Sequence, residues 1–168
     1  MTLRKAELVE LPFIWNILLQ AIEQRKQDGS EQWQNGYPNE ETIYDDIIHG
    51  HAYVLVEQNI IIAYAALLFD EEIAYNDIIG NWLSNGVYAV VHRVATINSK
   101  KRSGVATQLF RIIEDLCIEK QVYSIKVDTN FDNIPMMRIF EKLRYIYCGE
   151  VFFNGEPRKA YEKMLEKV

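Results

Sequence analysis

Three cations and a glycine stand in one short run, Lys100-Lys101-Arg102-Ser103-Gly104-Val105-Ala106, and residues of these types at this spacing suit an anion. The helix beyond the run supplies the reason. From Val105 the apolar residues fall at Val105, Leu109, Ile112, Ile113 and Leu116, on one helical face. A helix start has backbone N–H groups without intrahelical partners and a partial positive charge, and both attract phosphate. A solvated basic turn is the other reading of the same residues, and the residues alone leave the two open. Neither a P-loop motif nor a dinucleotide-binding glycine motif is present. Just upstream, His92 is the one side chain of its stretch that ordinarily titrates near neutrality, which makes it a candidate general base or a simply packed histidine.

Patterning predicts the elements that hold these groups. Residues 88–97 are rich in β-branched and aromatic side chains, with no Gly or Pro, and predict a strand that hands over to the helix through the basic run. In residues 122–129, Tyr123, Ile125 and Val127 alternate against Ser124, Lys126 and Asp128, predicting a second strand. Strand, helix and strand make a crossover whose strands are parallel neighbours, and ligands of open α/β sheets bind beyond the carboxyl ends of such strands.

Ahead of this unit, residues 3–8 predict a short strand. Residues 11–27 predict a helix, with Pro12 tolerated in its first turn. Residues 28–39 form a loop containing Gly29, Gly36 and Pro38, in which Trp33 and Tyr37 either pin the loop to the core or line a pocket. Residues 40–49 predict a second helix capped by Asn39 or Thr42 and ended by Gly50, with two strands joined at Gln58-Asn59 after it. Residues 70–85 carry Asp70, Glu71, Glu72 and Asp77 beside Tyr75 and Trp82. They form either a solvated acidic connector or an acidic lip that attracts a cationic amine. A helix containing Pro135 and two further strands end the chain.

At 168 residues the chain is expected to be one domain, 1–168, long enough to bury roughly 70% of its unfolded surface. A net charge of −6 argues against nucleic acid or anionic lipid as a partner. Cys117 and Cys148 have no metal-ligand spacing and read as buried thiols of a reducing compartment. With no apolar signal core and no membrane-length run, the expected location is the cytoplasm.

Lys101, Gly104 and Ala106, following the strand end HRVAT, resemble the acyl-CoA signature of the GNAT superfamily of N-acetyltransferases, although the family prefers Gln or Arg where Lys101 stands. DTNFDNIPMMRIFEKLRYIYCG is similar to the family's second motif, and EQWQNGYPN resembles the loop of a bacterial branch. The resemblance implies an α/β GNAT fold: a mixed, mostly antiparallel twisted sheet of about six or seven strands with a splayed parallel pair, and about four helices. It implies transfer of an acetyl group from acetyl-CoA, with CoA as product, to a small-molecule or peptide amine. Relatives are often dimers, so a homodimer is an option.

By the same resemblance, Val94, Ala95 and Thr96 polarise the thioester through backbone N–H groups, and Arg102, Ser103, Gly104, Val105, Ala106 and Thr107 receive the pyrophosphate. Lys100, Lys101 or Arg102 reaches the nucleotide-end phosphates, and Asn130, Asn133 and Phe140 belong to the cofactor-binding set. Phe140 occupies the position, seven residues after Asn133, where many relatives carry a tyrosine acid. Water, Tyr145 or Tyr147 is left to replace that acid. Trp33, Asn35, Tyr37 and Tyr75 become substrate-pocket candidates, and Glu31 or a chain of waters rivals His92 as base. Arg144 stands where relatives carry glycine, so a different local turn is expected. The missing acid leaves a second implication, a noncatalytic acyl-CoA-binding or sensing protein; a transferase acting on charged tRNA fits the acidic balance poorly.

Overall fold

Runs of β-branched and aromatic residues become strands, and segments with helical apolar spacing become helices, in the order the patterning predicts. The computed structural model describes residues 1–167. The strands are β1 (Thr2–Lys5), β2 (Ala52–Glu57), β3 (Ile60–Leu68), β4 (Ile79–Gly80), β5 (Ala89–Thr96), β6 (Ser124–Thr129), β7 (Ile146–Phe153) and β8 (Glu156–Met164). The helices are α1 (Leu11–Gln27), α2 (Glu40–Ile48), α3 (Val105–Glu119) and α4 (Ile134–Lys142). Hydrogen bonding orders the sheet β1-β2-β3-β5-β6-β8-β7-β4. The pairs β1/β2, β2/β3, β4/β7, β6/β8 and β7/β8 are antiparallel, while β5 and β6 are parallel, with Ala89 opposite Ile125 and Val90 opposite Lys126.

The sheet has eight strands rather than six or seven because the acidic connector contributes β4. Two residues are too short to show a period, and glycine explains the pairing. A Cβ on Gly80 would lie 2.0 Å from the Cys148 carbonyl oxygen, and one on Gly149 would lie 2.1 Å from that of Ile79. The two backbones meet at a distance that only facing glycines permit.

The chain divides into two compact units: Met1–Leu67 with Arg93–Ile112, and Leu68–His92 with residues 113–167. In the first, α1 and α2 present Ile14, Ile17, Leu18 and Ile43 to Ala52, Val54, Tyr64 and Ala95 in one core. Asn39 caps α2: its side chain accepts from Thr42 N–H at 3.0 Å while its own N–H donates to Thr42 Oγ1 at 3.2 Å, so both expected cap residues take part. In the second unit, Tyr75, Val90, Val151 and Ala160 form a core flanked by Trp82, Tyr88 and Phe153.

The connector is fastened by a carboxylate. Glu162, fully buried, accepts from Leu83 N–H at 2.6 Å, Ser84 N–H at 3.3 Å and Ser124 Oγ at 2.7 Å, and also from Ser84 Oγ. Each donor meets the carboxylate inside the protein, so none bears the desolvation cost of an unmade bond.

Arg144 does not change its turn. It adopts φ 64°, the conformation glycine would take, and ends α4 with its N–H bonded to the Glu141 carbonyl at 3.0 Å. An arginine there carries strain that glycine lacks. Arg144→Gly is therefore expected to stabilise the fold by about 0.5–1 kcal/mol after glycine's extra chain entropy is subtracted. Thermal unfolding should register this as a rise in Tm of roughly 1–4 °C. A lower Tm would mean that contacts of the Arg144 side chain outweigh the backbone strain.

Candidate active site

The basic run folds into a turn aimed at its helix. Asn98–Lys100 make a single 3-10 turn, Arg102 and Gly104 take φ 60° and 83°, and α3 begins at Val105. The first bond into the helix, Gln108 N–H to the Gly104 carbonyl at 2.9 Å, leaves the N–H groups of Val105, Ala106 and Thr107 outside the helix's own ladder. Nothing lies within 4 Å of where a Cβ on Gly104 would be, so the space over the turn is open.

The three cations differ. Lys100 Nζ is held by Glu57 Oε2 at 2.5 Å, and Lys101 Nζ donates to Gln24 Oε1 at 3.3 Å, where burial lowers its pKa. Arg102 is exposed, and among the described residues no hydrogen bond or ion pair holds its side chain. It is thus the cation best placed to meet an arriving phosphate. Beside the turn, a hollow of about 270 Å³ is lined by Leu19, Gln20, Gln24, Gln27, Asn98 and Lys101 among others.

Also in the first unit, β5 is kinked. Arg93 has φ 54° within the strand, and the buried run Ala89, Val90 and Val91 gives way to half-buried His92, Arg93 and Val94 before Ala95 packs into the core. The Arg93 guanidinium donates from Nε to Asp46 Oδ2 at 2.9 Å, from Nη2 to Asp46 Oδ1 at 2.5 Å, and from Nη1 to the Tyr37 hydroxyl at 2.7 Å. Tyr64 donates to the same Asp46 Oδ2 at 2.5 Å. Burial works to lower the Arg93 pKa, but Tyr37 and Asp46 raise it further than burial lowers it. The Tyr64 hydroxyl is pushed up by burial and by the Asp46 charge.

The candidates in the loop of residues 28–39 separate on exposure. Trp33 is half-buried and packs against the core of the first unit. Asn35 and Glu31 are exposed, and Tyr37 is 46% exposed with its hydroxyl on Arg93.

In the second unit, His92 Nε2 is 3.0 Å from Glu72 Oε2, and Nδ1 is 3.6 Å from Asp128 Oδ1. Tyr75 donates to Asp128 Oδ1 at 2.6 Å, and the Tyr88 hydroxyl accepts from Glu72 N–H at 3.1 Å. The connector is thus neither a solvated strap nor a uniform lip. Glu72 turns in to the imidazole while Asp70, Glu71 and Asp77 face water. Tyr75, expected in a substrate pocket, is instead 1% exposed, because its ring is enclosed by Trp82, Tyr88, His92 and Phe153.

The second motif lies in this unit too. Asn133 caps α4, accepting from Met136 N–H at 3.3 Å, and Asn130 donates to Asp132 at 2.6 Å and accepts from Arg158 at 3.1 Å. Phe140 is buried between the rings of Tyr145 and Tyr161, a core residue rather than a lining one. Tyr145, expected as a replacement acid, is also buried. Burial, with Glu114 and Cys117 beside it, raises its hydroxyl pKa well above the usual value, which removes it from proton donation at a surface. Tyr147 remains about half exposed.

Asp46, Tyr64, Arg93 and Glu72 were absent from the sequence-based set of site residues. Asp46 was detectable: it shares the inward face of α2 with Ile43, and a carboxylate on an apolar face requires a partner.

A family model described as acetyltransferase (GNAT) family matches residues 15–145. Among solved structures, a GNAT-family acetyltransferase from Streptococcus agalactiae is 34% identical, with 99% of this chain and 96% of that one covered and a TM-score of 0.91. A Staphylococcus aureus protein assigned to the acetyltransferases is 28% identical, with 99% and 100% covered and a TM-score of 0.75. The ribosomal-protein-S18-alanine N-acetyltransferase of Escherichia coli shares the fold at 15% identity, with 99% and 94% covered and a TM-score of 0.63. No curated protein matches the chain.

Proposed function

The chain belongs to the GNAT acetyltransferase family, and from that membership we propose that it acts as one catalytic domain, transferring an acetyl group from acetyl-CoA to a primary amine of a small molecule or peptide. The observation that carries the reading is the turn from Arg102 to Thr107. It combines open space above Gly104, helix-start N–H groups and an exposed arginine, a set that fits a pyrophosphate.

When bound, acetyl-CoA supplies a thioester whose carbonyl carbon takes the amine lone pair and whose thiolate leaves. Arg102, Ser103, Gly104, Val105, Ala106 and Thr107 hold the phosphates, with Lys101 alongside. Asn130 and Asn133 contribute side-chain amides to cofactor binding. The backbone N–H groups of Val94, Ala95 and Thr96, beyond the kink, stabilise charge developing on the carbonyl oxygen.

His92 takes the proton of the attacking amine. With its Nε2–H donated to Glu72, Nδ1 keeps the accepting lone pair, and the imidazolium formed has a carboxylate on each side. Glu31 is the rival base, exposed on the loop that carries Asn35 and Tyr37. No tyrosine acid is needed, because a thiol with an ordinary pKa of ~8.5 leaves readily at neutral pH.

Thiol release from acetyl-CoA over a panel of amines tests this. Release that depends on both the amine and the protein supports the enzyme. Saturable acetyl-CoA binding without release for any amine supports the noncatalytic reading, which the buried Phe140 at the position of the family tyrosine favours.

A further inference from the structure

We infer that Arg93 is a positioning residue, a clamp that holds the kinked backbone of β5 and the loop carrying Tyr37 in a single geometry. The inference rests on the proposed acetyl transfer, for which that backbone supplies the carbonyl-polarising N–H groups.

Three observations meet at this residue. First, Arg93 has φ 54° in a strand, a conformation that a non-glycine residue keeps only where its surroundings over-determine it. Second, all three guanidinium nitrogens are engaged: Nε and Nη2 on the two oxygens of Asp46, and Nη1 on the Tyr37 hydroxyl. Third, the anchor is rigid. The Arg93 and Asp46 side chains are only 12% and 6% exposed, and Asp46 also receives the hydroxyl of the fully buried Tyr64. Strand β3, helix α2, the loop before α2 and strand β5 therefore share one hydrogen-bonded cluster within the first unit.

The direction of the Val94 N–H follows from the Arg93 backbone angles, so whatever holds those angles aims the donor. Donors of this kind act only at the position the charged oxygen will occupy, and a displacement of about 1 Å can cost on the order of 100-fold in rate. The guanidinium is already neutralised by Asp46, so it is not a receptor for a substrate carboxylate. Its shape is what the site uses: a planar fork spans a carboxylate and a hydroxyl at once, and a lysine ammonium does not.

The test compares Arg93→Lys, Arg93→Ala and Tyr37→Phe with the unaltered protein, with circular dichroism to confirm folding. Arg93→Lys is expected to lower kcat at least ~10-fold while leaving the acetyl-CoA dissociation constant within about threefold. Millimolar guanidinium should restore part of the activity lost in Arg93→Ala, and an alkylammonium ion should not. Tyr37→Phe removes only the bond to the loop and is expected to raise the amine KM about fivefold, with acetyl-CoA affinity unchanged.

An Arg93→Lys enzyme with full kcat, or with acetyl-CoA affinity lost in step with kcat, overturns the clamp. If the Arg93 variants do not fold, an unchanged amine KM in Tyr37→Phe overturns it. A protein that transfers acetyl to no amine refutes the proposed activity and leaves the clamp open to a structural readout. In that case the Val94 and Ala95 amide resonances must still shift in Arg93→Lys, and unshifted resonances overturn the clamp.

Discussion

Gly104→Glu is expected to lower acetyl-CoA affinity at least ~100-fold while the protein remains folded. The Cβ of the substituted side chain meets no protein atom, since nothing lies within 4 Å of its position, so the substitution does not clash where it leaves the backbone. The φ of 83° makes any side chain there costly by about 1–2 kcal/mol, which lowers stability without removing the site. What removes it is the carboxylate, placed over the N–H groups that the pyrophosphate would use. Gly104→Ala is the control: it bears the same strain but no charge, and should keep affinity within about tenfold, since about 1.4 kcal/mol corresponds to that factor. Calorimetric titration of the two variants separates the effects. Unchanged affinity in Gly104→Glu would take the phosphates away from this turn.

His92→Ala is expected to lower kcat about 100-fold and to leave acetyl-CoA affinity unchanged. A general base acts in the proton-transfer step, so the loss should fall on kcat and not on cofactor binding. Glu72 supplies a second check. Its carboxylate lies 3.0 Å from Nε2, and Glu72→Gln should lower kcat about tenfold by releasing the tautomer that leaves Nδ1 as acceptor. A kcat in His92→Ala within about twofold of that of the unaltered protein would move the role to Glu31 or to water.

Those two experiments probe what the sequence announces most and least clearly. The turn from Lys100 to Ala106 was legible because its cations, glycine and helix onset are contiguous, and helix starts behave alike wherever they occur. Helix and strand order was legible for the same local reason. The partner of His92 was not, because Glu72 is twenty residues away and stands in a row of acids of which it alone turns inward. Tyr75 and Tyr145 share a different obscurity: a tyrosine offers the sequence a hydroxyl, and only packing decides whether it meets solvent. Both are buried. Arg93 shows a third limit. Its type suggests a surface cation, yet it is the backbone angle and the engagement of all three nitrogens that give it a role.

Whether one turn of this chain holds acetyl-CoA for transfer can be read from the backbone amide spectrum as acetyl-CoA is titrated in. Saturable shifts concentrated at Arg102 to Thr107, and at Val94 to Thr96, are the predicted result. Saturable shifts confined to other residues, or none at a ligand concentration of about 1 mM, would contradict it.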